Sequence, residues 1–150
     1  MDKIIIGSWA SKLALIQSRY EIVPGISSVI AAAAYAGIPI THRDYSSSFH
    51  VLTAHNPERI SFEHLAELKG TIIFLMGLKK LKELTDLLLQ HGFSAEKPVA
   101  VIYYGTTSEQ LVIKGKIETI ARKVEASHLS PPVLIVIGLQ CFWILDSWEI

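Results

Sequence analysis

The stretch PVAVIYYGTTSEQLVIKGKIETIARKVEA, residues 98–126, indicates the fold most directly. Residues 98–104 form an apolar run of strand length, and the segment GTTSEQ that follows predicts a loop. The run QLVIKGKI then predicts a second strand, and ETIARKVEAS predicts a helix. Strands and helices that take turns in this way are typical of an α/β domain.

The rest of the chain continues this alternation. Further strands are predicted at residues 3–6 (KIII), 49–54 (FHVLTA), 71–77 (TIIFLMG) and 131–138 (PPVLIVIG). Helices are predicted at residues 11–19, 26–37 and 61–70, and again from Leu78, where leucines recur at helical spacing up to His91. We therefore expect a mixed sheet flanked by helices, because its apolar strands need cover on both faces.

The helix predicted at residues 26–37 contains four consecutive alanines, residues 31–34. Alanine is the best helix former, and Gly37 stands where a glycine commonly ends a helix. Such small side chains imply close packing against a neighbouring element. We expect that neighbour to be the structure built by the first segment of the chain.

The composition excludes several classes of function. The 150 residues are one domain's worth of chain, and a content of 50% hydrophobic and 19% charged residues predicts a compact protein. The formal net charge is zero and no stretch is rich in Lys or Arg, so we expect neither nucleic acid nor an anionic membrane as a partner. The chain has a single cysteine, Cys141, which we expect to be buried like a small apolar residue. It can form no internal disulfide and no cysteine zinc site is expected, and this cysteine usage is typical of cytoplasmic proteins.

No membrane segment is predicted either. Asp2, Gly7 and Ser8 interrupt the start of the chain before an apolar core develops, which argues against a signal peptide. The apolar run at residues 133–145 contains Gly138 and Gln140 and falls short of the ~20 residues that a spanning helix needs. We therefore expect a soluble protein.

Turns rich in small residues mark candidate ligand-binding positions. In open α/β sheets, ligands bind beyond the carboxyl ends of the strands, which selects MG after Leu75, GTT after Tyr104, and Gly138. The segment PGISS leads into a helix whose first N–H groups can meet an oxygen-rich ligand. Each signal has a simpler explanation: a glycine after a strand can serve chain reversal alone, and Ser27 and Ser28 can simply cap the helix.

Four stretches occur in the order and at the spacing found in uroporphyrinogen-III C-methyltransferases: VPGISSVIAAAAYAGIPITHRD, TIIFLMGLKKL, KPVAVIYYGTTSEQLVIKGKIETI and PPVLIVIG. From about residue 20 to residue 138 the chain therefore resembles the tetrapyrrole methylase family. The resemblance implies the end of a first methylase domain and a linker at residues 20–40, and the C-terminal domain of the family at residues 41–138. The resemblance also implies that the N-terminal domain is incomplete.

The resemblance implies methyl transfer from S-adenosylmethionine to uroporphyrinogen III, on the route to sirohaem and cobalamin. In the family the cofactor lies in a cleft between two α/β domains, and Ser27, Ser28, Met76 and Gly105 match cofactor-binding positions. Arg43 of THR matches the substrate side, where a guanidinium can pair with a carboxylate of the tetrapyrrole. The alternative for Arg43 is a surface arginine in a linker. A homodimer is also compatible with the resemblance.

Several family features are missing from the sequence. The strings GAGPGD and GGDP do not occur, and the catalytic acid and base cannot be assigned. Residues 3–18 instead resemble the amino terminus of porphobilinogen deaminase, IGTRGSKLALWQ, with Trp9 at the position of its arginine, so we treat residues 1–19 as a separate segment. The tail, residues 139–150, also departs from the family.

Two functional interpretations follow. The chain is a methyltransferase by family, with an activity that depends on a supplied first domain. Alternatively, it is a noncatalytic fused remnant that at most associates with a family partner. Cofactor binding distinguishes the two.

Overall fold

The computed structural model describes residues 23–142 of the chain. These residues form the helices α1 (Ser28–Tyr35), α2 (Phe62–Glu67), α3 (Leu81–Gln90) and α4 (Ile117–Ala126). The strands are β1 (Phe49–Thr53), β2 (Thr71–Leu75), β3 (Pro98–Tyr103), β4 (Leu111–Lys116) and β5 (Val133–Ile137). Each matches a predicted element, whereas the strand predicted at 3–6 and the helix predicted at 11–19 lie outside the described residues.

The five strands form one mixed sheet in the order β1-β2-β5-β3-β4. β1 pairs with β2 in parallel, whereas β5 runs antiparallel to both β2 and β3, and β4 runs antiparallel to β3. β1, β2 and β3 therefore point the same way, and β4 and β5 point the opposite way. The predicted mixed α/β sheet is confirmed.

The helices α2, α3 and α4 cover one face of this sheet. Alternate residues of the central strands point into that layer, among them Phe74, Val101 and Ile135, which are fully buried. Leu84 of α3 and Ile120 of α4 meet them from the helices. The leucine spacing that predicted α3 thus corresponds to the buried side of that helix. No helix within residues 23–142 has both the length and the apolar character needed to cross a membrane.

Helix α1 covers the other face through its small side chains. Ala32, Ala33 and Ala36 are buried there against a layer that includes Ala100 and Val136 of the sheet. The sheet of residues 49–137 is thus one neighbour of these alanines; their expected packing against the first segment concerns residues outside the described part of the chain. Small residues on both sides let the helix approach the strands closely.

Helix α1 ends as its sequence predicts. Ala36 closes the helix with its N–H bonded to the carbonyl of Ala32, and Gly37 adopts φ +67°. That left-handed conformation is the one for which glycine is favoured at a helix end. The chain then turns back, and Ile38 joins the α1 layer.

A buried polar cluster fixes the next segment at the amino end of β2. Thr71 donates its hydroxyl to the carbonyl of Ile40, at 2.7 Å, and lies 3.2 Å from the hydroxyl of Ser46. The buried amide of Gln140 donates to the same carbonyl, at 3.2 Å, and to Thr71. These bonds tie the segment before β1 and the turn after β5 to one edge of the sheet.

Cys141 is buried as predicted, with its thiol 3.4 Å from the carbonyl of Val136. Burial raises the pKa of this thiol from 9.0 to about 12. Since the folded state disfavours the thiolate, the contribution of the neutral thiol to stability is complete below pH 9.0 and is lost as the pH rises toward 12.

We predict that the free energy of unfolding of the wild type falls faster above pH 9.0 than that of Cys141→Ala. The difference between the two slopes should be at most about 1.4 kcal/mol per pH unit, the value of one thiol titration. Urea unfolding of both proteins across this range measures it. Parallel pH profiles would show that the thiol is accessible in the folded state.

The alanines of α1 allow a second prediction with a control in the same helix. Ala33→Leu places a larger side chain between α1 and the sheet and should cost about 1–3 kcal/mol of unfolding free energy. Ala34→Leu, on the exposed side, should change it by less than about 0.5 kcal/mol. Denaturant unfolding of both variants checks this, and equal effects would contradict the observed packing of α1.

Candidate functional site

The candidate site lies at the edge where β2 and β3 end. Met76 follows β2 and Gly105 comes two residues after β3, and since these strands are parallel the two residues share one edge. Only β5 separates the strands, which places their ends about 10 Å apart. The two turns that the carboxyl-end rule selected after β2 and β3, MG and GTT, therefore lie at the same edge of the sheet.

The backbone at this edge adopts unusual conformations. Met76 has φ +57°, Tyr104 has φ +44° and Thr106 has φ +71°, all in the left-handed region. They are three of the four non-glycine residues with positive φ in the described part of the chain. Such conformations cost about 1–3 kcal/mol each and cluster at binding sites. The loops after β2 and β3 thus contain non-glycine residues in left-handed backbone conformations that such residues rarely adopt.

Gly105 brings helix α1 to the same edge. A Cβ added at Gly105 would overlap the Cβ of Ala32 and would come within 3.1 Å of its Cα. Ser28 begins α1 one turn earlier, about 6 Å along the helix axis. The start of α1, with Ser27 and Ser28, therefore lies about one helical turn from the contact between Ala32 and Gly105.

The start of α1 is exposed. Ser27 caps the helix, with its hydroxyl accepting from the N–H of Val29 at 3.4 Å, and its carbonyl accepts from Ile30 and Ala31. Ser28 is also exposed at the surface. Two hydroxyls and the positive end of the helix dipole thus face outward, which suits an anionic or oxygen-rich group.

A cavity of about 620 Å³ opens beside Met76, at the ends of β1 and β2. Its polar lining includes His55, Asn56 and Arg59, which the sequence analysis did not single out. The signal was present, since His55 and Asn56 directly follow an apolar strand just as Met76 and Gly105 do. The segment that holds them has no glycine and no turn of small residues, and the sequence prediction of ligand-binding turns relied on those two features.

Arg43, the residue predicted to bind substrate, lies away from this edge. Arg43 belongs to the turn between His42 and Ser46, which precedes β1 and is anchored beside the amino end of β2. The structure does not bring Arg43 together with Met76 and Gly105, which follow the opposite ends of the strands. Its pairing with a substrate carboxylate stays a prediction.

Gly138 was wrongly grouped with the ligand-binding turns. It does follow the carboxyl end of β5, but β5 runs antiparallel to its neighbours. Gly138 therefore donates its N–H to the carbonyl of Pro98, at the amino end of β3, and packs against the side chain of Gln140. The rule for carboxyl ends selects this edge only when the strands are parallel.

The clearest ion pair near β3 also lies away from the site. Lys116 pairs with Glu96 beside the amino end of β3, which raises the pKa of Lys116 and lowers that of Glu96. Among residues 23–142, no group of three or more His, Cys, Asp or Glu side chains is arranged to hold a metal ion. The polar groups at or beside the candidate site are the hydroxyls of Ser27 and Ser28 and the cavity side chains of His55, Asn56 and Arg59.

These features define an α/β domain with a candidate site at the edge where two parallel strands end and one helix approaches. The family model of Tetrapyrrole (Corrin/Porphyrin) Methylases matches residues 5–121. The chain belongs to this family. The match begins inside the segment that resembles porphobilinogen deaminase and stops before β5.

Two curated relatives are uroporphyrinogen-III C-methyltransferases. The chain is 43% identical to that of Bacillus subtilis (strain 168) over 135 residues, which are 87% of the chain and 28% of the relative. It is 39% identical to that of Priestia megaterium over 131 residues, which are 83% of the chain and 55% of the relative. The chain thus spans little more than half of the shorter of these two proteins.

Solved structures share the fold. A cobalt precorrin-4 methyltransferase superimposes with a TM-score of 0.73 at 25% identity, over 81% of this chain and 53% of that one. The uroporphyrin-III C-methyltransferase of Thermus thermophilus, complexed with S-adenosylhomocysteine, gives a TM-score of 0.68 at 22% identity. That likeness covers 83% of this chain and 54% of that one.

We predict that Gly105→Ala destabilises the protein by about 1–3 kcal/mol, because its methyl group overlaps Ala32. The double variant Gly105→Ala with Ala32→Gly should recover part of this loss. Gly25→Ala is the control, since no atom lies within 4 Å of a Cβ at that position. Urea unfolding measures all three, and a harmless Gly105→Ala would contradict the close approach of α1.

Proposed function

We propose that this chain supplies one wall of a binding site for S-adenosylmethionine, in a methyl transfer to uroporphyrinogen III. The observation that carries the proposal is that Gly105 packs against Ala32, one turn after the start of α1 at Ser28, at the edge where Met76 follows β2. Family membership and the names of the two curated relatives support it, as does the S-adenosylhomocysteine complex of the Thermus thermophilus enzyme.

The residues of this edge fit such a ligand. The exposed hydroxyls of Ser27 and Ser28 can hydrogen-bond to its polar groups at the start of α1. Met76 is 63% exposed and offers a polarizable apolar surface to an adenosine ring. Gly105 has no side chain, which lets α1 approach the loop closely at Ala32 and brings the start of the helix toward this edge.

The reaction sets clear demands on these residues. Bound S-adenosylmethionine supplies an electrophilic methyl group, which a pyrrole carbon of the substrate takes as the carbon–sulfur bond breaks and its electron pair stays on sulfur. Such a transfer depends strongly on how donor and acceptor are aligned. We assign to Ser27, Ser28 and Gly105 the holding of the donor, and to Met76 the exclusion of water from one side. The residues that move the proton are assigned to no position of this chain.

The second interpretation is a noncatalytic role in which the chain only associates with a family partner. The sequence favours it in one respect, because the strings GAGPGD and GGDP are absent from the 150 residues. The structure adds that large apolar side chains are exposed just before α1, at its last residue and directly after β2, namely Ile26, Tyr35 and Met76. A partner methylase domain would cover such a surface.

Titration calorimetry with S-adenosylhomocysteine tests the proposal. A site with one wall lacks hydrogen bonds to the charged end of the ligand, each worth about 1.5–3 kcal/mol. The loss of two such bonds predicts binding about a hundredfold or more weaker than that of the Bacillus subtilis relative, and we expect no detectable methylation of uroporphyrinogen III. Met76→Ala should weaken binding by a further factor of about five, through lost apolar contact.

Leu139→Ala is the matched control, because Leu139 is also large, apolar and exposed but follows β5 at the opposite edge. It should leave the affinity unchanged. Equal effects of the two variants would place the ligand elsewhere. Turnover by the chain alone, abolished by Gly105→Trp, would show that no second wall is needed.

A further inference from the structure

The side chain of Gln110 joins the loop after β3 to helix α1. Its Oε1 accepts a hydrogen bond from the N–H of Thr106, at 2.8 Å, and its Nε2 donates one to the carbonyl of Tyr35, at 3.3 Å. The two partners are a backbone donor and a backbone acceptor, so the orientation of the amide follows from the geometry. One side chain thus joins its own loop to a helix whose bonded residue, Tyr35, lies 75 positions earlier in the chain.

The bond to Tyr35 completes the C-terminal end of α1. The last four carbonyls of a helix have no partner within the helix. In α1 the carbonyls of residues 32, 33 and 34 accept from the N–H groups of Ala36, Ile38 and Gly37. The carbonyl of Tyr35 receives its hydrogen bond from Gln110. Without Gln110, this carbonyl would have to turn to water.

The bond to Thr106 acts on the strained part of the loop. Thr106 has φ +71° and Tyr104 has φ +44°, so the backbone on both sides of Gly105 is left-handed. The hydroxyl of Thr107 donates to the carbonyl of Tyr104 at 2.7 Å and holds the turn from within. Gln110 holds it from outside, against the helix.

We propose that Gln110 is a positioning residue of the cofactor site, which fixes the loop of residues 104–107 against α1. The role rests on the proposed function, because the two elements that Gln110 joins carry Gly105 and the pair Ser27 and Ser28. Gln110 contributes to affinity by holding the two parts at a fixed distance before the ligand arrives.

Two variants separate the two hydrogen bonds of the amide. Gln110→Leu removes both bonds. Gln110→Glu keeps the acceptor for Thr106 and loses the donor to Tyr35. Gln90→Leu, at the exposed end of α3, is the matched control for a Gln to Leu change on the surface.

The first readout is hydrogen exchange of the Thr106 amide, followed by NMR in the ligand-free protein. Exchange should accelerate about tenfold in Gln110→Leu and stay near the wild-type rate in Gln110→Glu, because only the first loses the acceptor. An unchanged rate in Gln110→Leu overturns the bridge itself. This readout needs no ligand and is independent of the proposed function.

The second readout is the affinity for S-adenosylhomocysteine, measured well below the unfolding midpoint of each variant. We expect about a tenfold loss for Gln110→Leu, a smaller loss for Gln110→Glu at neutral pH, and none for Gln90→Leu. Faster exchange at Thr106 with unchanged affinity would show that Gln110 orders the loop without serving the site, and it would overturn the proposal.

Acidification gives a third readout, which a general loss of stability would not produce. The carboxyl introduced by Gln110→Glu can donate to Tyr35 once it is protonated, so the affinity of this variant should recover toward the wild-type value as the pH falls. Helix α1 carries no charged side chain, and Glu109 is the one charged residue of the loop, present in the wild type as well. A wild type without any binding would refute the proposed function and this role together, whereas the exchange readout would still decide the bridge.

Discussion

The position and direction of β5 determine the arrangement of the candidate site. β5 lies between β2 and β3 and is antiparallel to both, so each of these strands bonds to β5 and not to the other. Its side chains fill both layers, Ile135 toward α3 and α4 and Val136 toward α1. β2 and β3 are thus parallel to each other although they are not neighbours. Their carboxyl ends lie at the same edge of the sheet, separated by the width of β5.

Small side chains then decide how close α1 can come to this edge. Ala33 and Ala100 are buried without any exposed surface in the α1 layer, and Gly105 touches Ala32 at the end of β3. In an interior at close-packed density, one added methylene on either side would shift the helix. Since Ser27 and Ser28 begin the same helix, the packing of its alanines also sets their distance from the β3 loop. The packing of α1 on the sheet therefore also determines the geometry of the candidate site.

The sequence predicted the elements well and the edges only in part. Period, length and glycine position identified every α-helix and strand of the described residues, because these signals are local. The direction of a strand is not local: the runs VLIVI of β5 and PVAVIY of β3 have the same apolar character, yet they run in opposite directions. Gly138 was misplaced for this reason. The sequence around Arg43 likewise does not encode at which edge of the sheet this turn lies.

The cavity residues His55, Asn56 and Arg59 show the complementary limit. They follow β1, whose parallel pairing with β2 brings them beside Met76, 17 or more positions along the chain. No pattern of spacing within one segment encodes such a meeting. It depends on the register of two strands, Thr53 opposite Leu75, which only the assembled sheet defines.

The conformation of the β3 loop bears on the question whether its glycine serves chain reversal alone. A turn selected for reversal places glycine at a left-handed position, where other residues are strained. Here the left-handed positions are taken by Tyr104 and Thr106, and Gly105 between them is not among the glycines with positive φ. What Gly105 provides is the space that Ala32 occupies. The loop is therefore shaped by the approach of α1, and its strained neighbours persist because the hydrogen bonds of Thr107 and Gln110 hold them in place.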